Sequence, residues 1–339
     1  MQGEYDLGHN WVASLGYQGS STRHLTQQYN LYDIGAAEGL ALNPVVQGFN
    51  FYANDGSAHF NAMLAELHHK FGSNFELDTQ YRLSRSIDSG SNNFANPNYQ
   101  YNIASNIGPS DYDVTHAVKV WGVWSPTLFR GSHSWAEKIV GGWSLSGIMN
   151  WHSGFPYNPV YNTPFDPVFG GSGQLRPAAF LGGATSDSSN DAFIRPDANF
   201  PGGGSTHFTA PTVVQGPSFE CVTTTVVTPN CPTGQVPFGP LPTAPGVERN
   251  AFRGPRYFDI DATLSKSFGL PKMRVLGENA RLEFRANFYN LFNKENLWNI
   301  NNHIGDIQAD GSVVPDIHFG QAQNGLGSRV IEMQARFNF

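Results

Sequence analysis

The sequence predicts an all-β fold: an antiparallel transmembrane β-barrel segment of about eight strands, with long extracellular loops and short periplasmic turns. Three observations predict it. Apolar and polar residues alternate over stretches long enough to cross a bilayer as tilted strands. The connections between these stretches are alternately long and short. The composition is low in charge and high in aromatic and turn-forming residues.

The composition separates this chain from an ordinary soluble domain. Charged residues make up 14% and aromatic residues 13% of 339 positions, with 37 glycines and 22 prolines. An average soluble domain is about 25% charged. No apolar run approaches the roughly 18 residues of a membrane-spanning helix, which excludes a helical membrane protein. The 20 basic and 27 acidic residues form no basic patch, so we exclude a nucleic-acid partner.

Eight segments carry the alternating pattern, and a tilted strand needs about nine to eleven residues to cross a bilayer. They are residues 9–19, 58–71, 74–87, 113–125, 142–153, 257–268, 280–293 and 329–339. Trp143 and Trp151 share the apolar face of one segment. Their separation is roughly 26 Å along the strand, or about 20 Å of height after tilting. The pair is therefore predicted to lie in two aromatic girdles, one at each membrane interface.

The connections give a second regularity. Residues 20–57, 88–112, 154–256 and 294–328 are predicted to be long loops, and residues 72–73, 126–141 and 269–279 shorter turns. This alternation is typical of barrels in the bacterial outer membrane, which is the predicted location, and soluble β-sandwiches follow no such rule. Residues 154–256, rich in Gly, Pro, Ser and Thr, are predicted to be one large, partly disordered extracellular loop.

The N-terminus and the two cysteines bear on export. Residues 1–19 have neither the basic start nor the apolar centre of a secretion signal, so an exported chain would be only part of its precursor. Cys221 and Cys231 lie in a Pro/Thr-rich segment and are consistent with one local disulfide in an oxidising compartment. Two unpaired thiols and a zinc site are the alternatives.

Few side chains suggest chemistry. His68 and His69 are adjacent in a strand, so they point to opposite faces and cannot hold one metal ion together. Asp259 and Asp261 share a polar face about 7 Å apart, a spacing that suits a cation or a carboxylate pair, or a simple polar lining. His116 lies near the outer rim, where an interfacial role is favoured over substrate contact.

No motif points to catalysis. The sequence "PGGGS" at residues 201–205 has no flanking strand and helix, and no nucleophile elbow is present. The sequence "NLFN" at residues 290–293 is predicted to end a strand at the outer interface. We therefore predict no enzyme, no metal and no cofactor. A surface hydrolase remains a third alternative, supported only by scattered acids and histidines.

Five stretches, taken in order, resemble the TonB-dependent receptors of the outer membrane, most closely their Oar-like branch. They are "AHFNAMLAELHHKFGSNFELDTQYRLSRSID", "DYDVTHAVKVWGVWSP", "IVGGWSLSGIMNWHSGFPYNP", "NAFRGPRYFDIDATLSKSFGL" and "RLEFRANFYNLFNKENL". With the closing strand that ends on Phe339, their order fits the last third of such a barrel. The resemblance implies that residues 1–339 are the C-terminal portion of a receptor barrel that takes part in energised import of a bulky ligand.

The resemblance also implies the partners. A complete receptor has about 22 strands, a plug, a TonB-contact segment and a signal peptide, none of which these residues supply. Contact with the TonB complex would therefore occur only through the missing N-terminal parts. The other implied partners are outer-membrane lipid, an unknown extracellular ligand at the loops, and the barrel-assembly machinery, which reads a terminal strand such as the one carrying Phe337 and Phe339.

One alternative comes from a different class of protein. A surface-exposed all-β adhesion or binding module without transport activity would also have alternating strands, because a sandwich has one apolar face. In a sandwich the two apolar faces pack against each other. In a membrane barrel the apolar face is exposed to lipid.

Overall fold

The computed structural model describes residues 1–30, 50–72, 74–91, 103–127, 135–163, 173–176, 180–182, 213–214, 221–223, 235–237, 248–270, 280–308, 313–319 and 322–338. Its main feature is one large antiparallel sheet in which nine long strands are neighbours in chain order. They are β1 (Gln2–Gly8), β2 (Trp11–Asn30), β3 (Asn50–Phe71), β4 (Phe75–Asp88), β5 (His116–Trp124), β6 (Trp143–His152), β7 (Tyr257–Gly269), β8 (Arg281–Tyr289) and β9 (Val330–Asn338).

The sheet confirms all eight predicted strands and adds β1, which the sequence pattern missed. A two-residue turn joins β1 to β2 at His9 and Asn10, which have φ angles of 53° and 64°. Gly8 before them has φ 79°. A turn with positive φ at both central residues matches the right-handed twist of a hairpin. This tight turn lies at the start of the first predicted strand, so no loop signal separated the two strands.

The predicted loop at residues 20–57 is wrong in its bounds. β2 continues to Asn30 and β3 begins at Asn50, and the two pair from Trp11 opposite His69 out to Asn30 opposite Asn50. The ladder shifts register on both sides of Leu25. A strand shows apolar and polar residues in alternation only where one of its faces contacts lipid or an apolar core. The polar outer part of this hairpin, with Gln27 hydrogen-bonded to Ser89, gives no such signal.

The other long connections contain short strands. Within residues 154–256, Pro156–Tyr157 pairs with Phe252–Arg253, Val160–Thr163 with Gly173–Leu175, Phe180–Gly182 with Val213–Val214, and Cys221–Thr223 with Gln235–Pro237. Within residues 294–328, Asn296–Ile300 pairs with Ala322–Leu326, and His303–Ile307 with Val313–Pro315. His303–Ile307 also pairs in parallel with Val160–Thr163. The last two long connections therefore share a sheet. The predicted disorder falls outside the described residues.

Three smaller elements lie in the described parts of the other connections. Gly108–Pro109 pairs with the end of β4, and a 3-10 helix spans Ile103–Asn106. The connection at residues 126–141, predicted as a short turn, holds helix α1 (Trp135–Val140). Among the described residues, no helix is long and apolar enough to cross a membrane.

Burial is the reverse of that in a soluble sheet protein. On the apolar face of the large sheet, Leu15 is 58%, Tyr17 56% and Met333 83% exposed. The most buried apolar side chains, such as Val160 and Phe252, lie in the long connections instead. No second sheet covers the apolar face in the described part of the chain. This arrangement disagrees with the sandwich alternative and agrees with strands that face lipid.

Candidate functional site: the polar inner wall and its outer anchor

The polar face of the sheet is continuous because cross-strand partners share a face. One row of directly opposed residues crosses seven strands. From β1 to β7 it consists of Glu4, Ser14, Glu66, Gln80, Lys119, Asn150 and Asp259. Two members donate to the Glu66 carboxylate, Ser14 Oγ at 3.0 Å and Gln80 Nε2 at 3.0 Å. The row contains charges of both signs and forms a wall suited to contact with water.

The apolar face carries aromatic side chains at both ends. At the short-turn end, Trp143 Nε1 donates to the Ile139 carbonyl at 2.9 Å, and Lys266 Nζ lies 5.2 Å from its ring centroid. At the long-connection end, Trp151 lies opposite Phe258. Phe337 is on the same face of β9, opposite Leu282. Trp143 and Trp151 thus lie at opposite ends of the apolar face of β6, and their girdle role stays a prediction.

The adjacent histidines diverge as predicted. His69 stacks on Trp11 at a centroid distance of 3.8 Å on the apolar face. His68 lies on the polar face, with Nδ1 2.8 Å from Asp78 Oδ1. His116 is on the apolar face near the long connections, and its Nδ1 lies 2.8 Å from the Tyr81 hydroxyl. That position is consistent with the interfacial role favoured for His116.

Asp259 and Asp261 both lie on the polar face of β7, as their spacing predicts. Asp261 Oδ1 accepts the Asn290 backbone N–H at 2.9 Å. Asn290 begins the "NLFN" stretch that ends β8, and its φ of 52° turns the chain there. Asp261 therefore helps to fix the outer end of β8. This contact gives Asp261 a structural role and leaves Asp259 on the wall.

The outer end of the wall is held by Arg249 and Arg253, which we name the arginine anchor. Arg249 Nη2 pairs with the Asp88 carboxylate, and its Nε donates to the Asn106 carbonyl at 2.9 Å. Arg253 pairs with the Asp113 carboxylate and donates to the Asp113 carbonyl at 2.9 Å. Asp88 is 2% and Asp113 1% exposed, so both carboxylates are buried, while the Arg249 and Arg253 side chains are 14% and 25% exposed. Because buried charges require partners, the anchor binds the end of one long connection to the previous one.

Neighbouring side chains complete the anchor. Asn250 Nδ2 donates to the Pro109 carbonyl at 2.8 Å, and Asp113 Oδ1 accepts the Ser86 N–H at 2.6 Å. The Ser86 and Ser110 hydroxyls are 2.8 Å apart. Sequence reasoning missed these residues because the hydrogen bonds of Arg249 and Asn250 join positions 138 to 161 apart in the chain. The available signal was Arg253 in "NAFR" at residues 250–253, which the resemblance already contains, whereas Arg249 immediately precedes that stretch.

A second polar cluster lies in the last long connection. The His303 ring has Nδ1 3.2 Å from Asp316 Oδ2 and Nε2 3.0 Å from Asp306 Oδ1. Burial alone would raise the pKa of Asp316, but hydrogen bonds from the His318 N–H, Asn301 and His303 outweigh it and lower that pKa. Burial also lowers the pKa of Lys294 in the same connection, and the charge of Arg256 adds to this effect.

Two predictions, the disulfide and the terminal aromatic residue, involve residues that the structure does not describe. Cys221 begins a short strand, but Cys231 and Phe339 lie outside the described residues. The disulfide and the terminal aromatic position therefore stay predictions.

Comparisons with known proteins identify the family. A family model described as an outer membrane beta barrel domain matches residues 1–332. No curated protein matches the sequence. Among solved structures, the chain is similar to the outer membrane transporter YddB from Escherichia coli, at 9% identity and a TM-score of 0.42. That similarity covers 98% of this chain, which spans 31% of the length of the transporter chain. The chain belongs to the outer membrane beta barrel domain family, and its location is the bacterial outer membrane.

Proposed function

We propose that this chain is the C-terminal portion of a TonB-dependent receptor barrel of the Oar-like branch, which imports a bulky ligand across the outer membrane using energy delivered through TonB. In this proposal the plug and the TonB-contact segment precede residue 1 in the complete receptor. Residues 154–256 form an extracellular loop, and the polar wall lines the water-filled interior.

The observation that carries the proposal is the open sheet. Nine strands that alternate in direction make β1 and β9 run the same way, so these two strands cannot pair antiparallel. In the part of the chain that the structure describes, each of them pairs on one side only. A barrel leaves no free strand edge, and single-chain bacterial barrels have an even number of antiparallel strands. Further strands from the same receptor would satisfy both edges.

The outer end supports a binding role. The last two long connections share a sheet, and the arginine anchor fixes the end of one of them to the connection before it. A ligand that arrives from outside would meet these tied segments first. Binding energy spread over several loops suits a bulky ligand.

Cysteine cross-linking between the two edges tests whether the sheet is part of a larger barrel. Cys221 and Cys231 are replaced by serine, and pairs of cysteines are scanned along β1 and β9 of the chain folded in detergent. We expect no disulfide within one chain, because the edges are separate. Efficient cross-linking in one register would mean that nine strands close on themselves, and the proposal would fail.

Uptake in living cells tests the energy source. The full reading frame that contains this chain is expressed in hosts with and without TonB, and its ligand is sought among bulky compounds depleted from the medium. The proposal requires depletion that depends on both the receptor and TonB. Surface binding without any depletion in either host would support an adhesion role instead.

Deletion of Phe339 tests the proposed role of the terminal strand. If the barrel-assembly machinery reads this end by strand addition, the deletion impairs insertion into the outer membrane far more than ligand binding by the inserted fraction. Heat-modifiable migration of the membrane fraction measures insertion. Normal insertion of the shortened chain would refute this role.

A further inference from the structure

Three potential metal ligands meet on the polar face of the hairpin formed by β3 and β4. They are His68, Glu76 and Asp78, and one ligand atom from each lies within 4.8 Å of the other two. His68 is directly opposite Asp78 across the ladder, and Glu76 is two residues from Asp78 on the same strand. The hairpin turn at Gly72, with φ 61°, is tight. The three groups therefore lie on two rigid, directly paired strands.

Several carboxylate oxygen atoms of this cluster accept no hydrogen bond. Asp78 Oδ2 is buried and accepts no hydrogen bond. Among the described residues, the Glu76 carboxylate has no hydrogen-bond partner either, and only Asp78 Oδ1 is engaged, by His68. A buried carboxylate oxygen without a donor is costly. A cation would satisfy it.

The surroundings favour positive charge and leave room for water. A cavity of about 280 Å³ adjoins His68 and Asp78. Glu4 and Glu66 also line it, so several carboxylates face this space. A coordinated water needs about 30 Å³, so the cavity can hold an ion's remaining water ligands.

The distances fit a small divalent ion. A tetrahedral ion with bonds of about 2.0–2.2 Å to nitrogen and oxygen holds its ligand atoms roughly 3.3 Å apart. His68 Nδ1 and Asp78 Oδ1 are 2.8 Å apart, so side-chain rotations that widen this gap by about half an ångström would admit the ion. One imidazole with two carboxylates suits zinc and its transition-metal neighbours better than calcium or magnesium, which prefer oxygen alone.

We propose that His68, Glu76 and Asp78 bind one zinc-class divalent cation on the inner wall, with water at the open position. The adjacent His69 takes no part because it faces the other side, so the site depends on the cross-strand register. The bound ion links β3 to β4 near the short turn and stabilises that hairpin in proportion to the logarithm of free metal over Kd. This inference rests on the family fold and not on the transport proposal.

Titration with zinc chloride tests the site directly. The full chain is folded in detergent, freed of metal by a chelator, and titrated calorimetrically, with visible absorption of cobalt as a second probe of geometry. We expect one saturable site in the wild type. His68→Gln, Glu76→Gln and Asp78→Asn should each weaken binding tenfold or more, because even an outer partner of a metal ligand is worth about 10–100-fold.

Two controls separate this site from the other histidines. His59→Gln alters another exposed histidine of β3, and His69→Phe keeps the aromatic stack on Trp11, so both should leave zinc affinity unchanged. Glu76→Gln is the most informative variant, because that side chain makes no hydrogen bond or ion pair in the described structure. Undiminished binding in His68→Gln and Glu76→Gln, or no saturable binding by the wild type, would overturn the proposal.

Discussion

Replacement of Arg249 by methionine should release the outer anchor while the membrane part of the sheet stays folded. The guanidinium group donates to the Asn106 carbonyl at 2.9 Å and the Asp88 carbonyl at 3.1 Å, besides its pair with the Asp88 carboxylate. Methionine keeps the aliphatic stem and removes every donor. The Asp88 carboxylate, 2% exposed, would then be buried without its charge partner.

The structure sets the size of the effect. Loss of one partner from a buried ion pair costs about 3–5 kcal/mol. We expect the lower end, because Arg253 still pairs with Asp113 and Asn250 still donates to Pro109. The contact of Arg249 with Asp111 adds little, since that carboxylate side chain is 52% exposed. About 3 kcal/mol corresponds to roughly a hundredfold rise in the opening equilibrium of this region.

Hydrogen exchange measures that opening. In the wild type the Ser110 N–H donates to the Ser86 carbonyl at 3.0 Å, and the Asp113 N–H to the Ser110 carbonyl at 2.8 Å. Arg249→Met should lower the protection of these two amides about a hundredfold. Arg23→Met, at an exposed arginine on the same end of the barrel, is the matched control. Unchanged protection in the first variant, or an equal loss in the control, would refute the reasoning.

Three further predictions follow from single contacts. In variants that keep only Trp143 or only Trp151, brominated lipid should quench the fluorescence of both, and protection of either would contradict the girdle assignment. Gly154→Ala should destabilise the barrel in urea by at least 1–3 kcal/mol, because its Cβ would lie 1.7 Å from the Gly254 carbonyl oxygen, whereas Gly269→Ala, with open space, should be near neutral. Because the folded pKa of Asp316 is lowered from 3.8, its stabilisation is present above pH 3.8 and is lost as pH falls through the folded value. Exchange protection of residues 296–308 and 313–319 should therefore drop in strong acid, and Asp316→Asn should abolish that step.

The sequence was most informative where lipid constrains it. Each strand that crosses the bilayer must alternate, because one face meets hydrocarbon and the other meets water. Leu145 and Met149 on β6, for example, share a parity with Trp143 and Trp151. This constraint allowed all eight alternating strands to be predicted in order, together with their two faces.

Outside the membrane the strands are not required to alternate, and their bounds were predicted less accurately from the sequence. The outer half of β2 pairs through Gln27, Gln28 and Tyr29. Gln27 and Tyr29 share one face and are buried by contacts with protein, so no apolar stripe marks the strand. Arg249 and Asp88 are 161 positions apart in the chain. Such contacts depend on tertiary structure, which a local pattern does not contain.

The hairpin register explains the remaining miss. Sequence reasoning compared His68 with His69, its neighbour in the chain, and correctly excluded a shared ion. The relevant neighbour was Asp78, ten residues away and directly opposite in the ladder. In a tight hairpin such as the one at Gly72, the residue opposite a given position can be found by counting equal distances from the turn along both strands. Cross-strand counting is therefore the step that would have found the candidate metal site from sequence.

Burial of the anchor has a further physical reason. A barrel in lipid needs no apolar core beneath its outer face, so its outer end must be held by contacts among the connections themselves. Exposed ion pairs there would weaken in salt, because the screening length is about 8 Å at physiological ionic strength. Asp88 and Asp113 are almost fully buried, and buried pairs are screened much less. The anchor should therefore keep the outer connections in place across a wide range of external salt, whereas the exposed contact between Arg249 and Asp111 should not contribute in high salt.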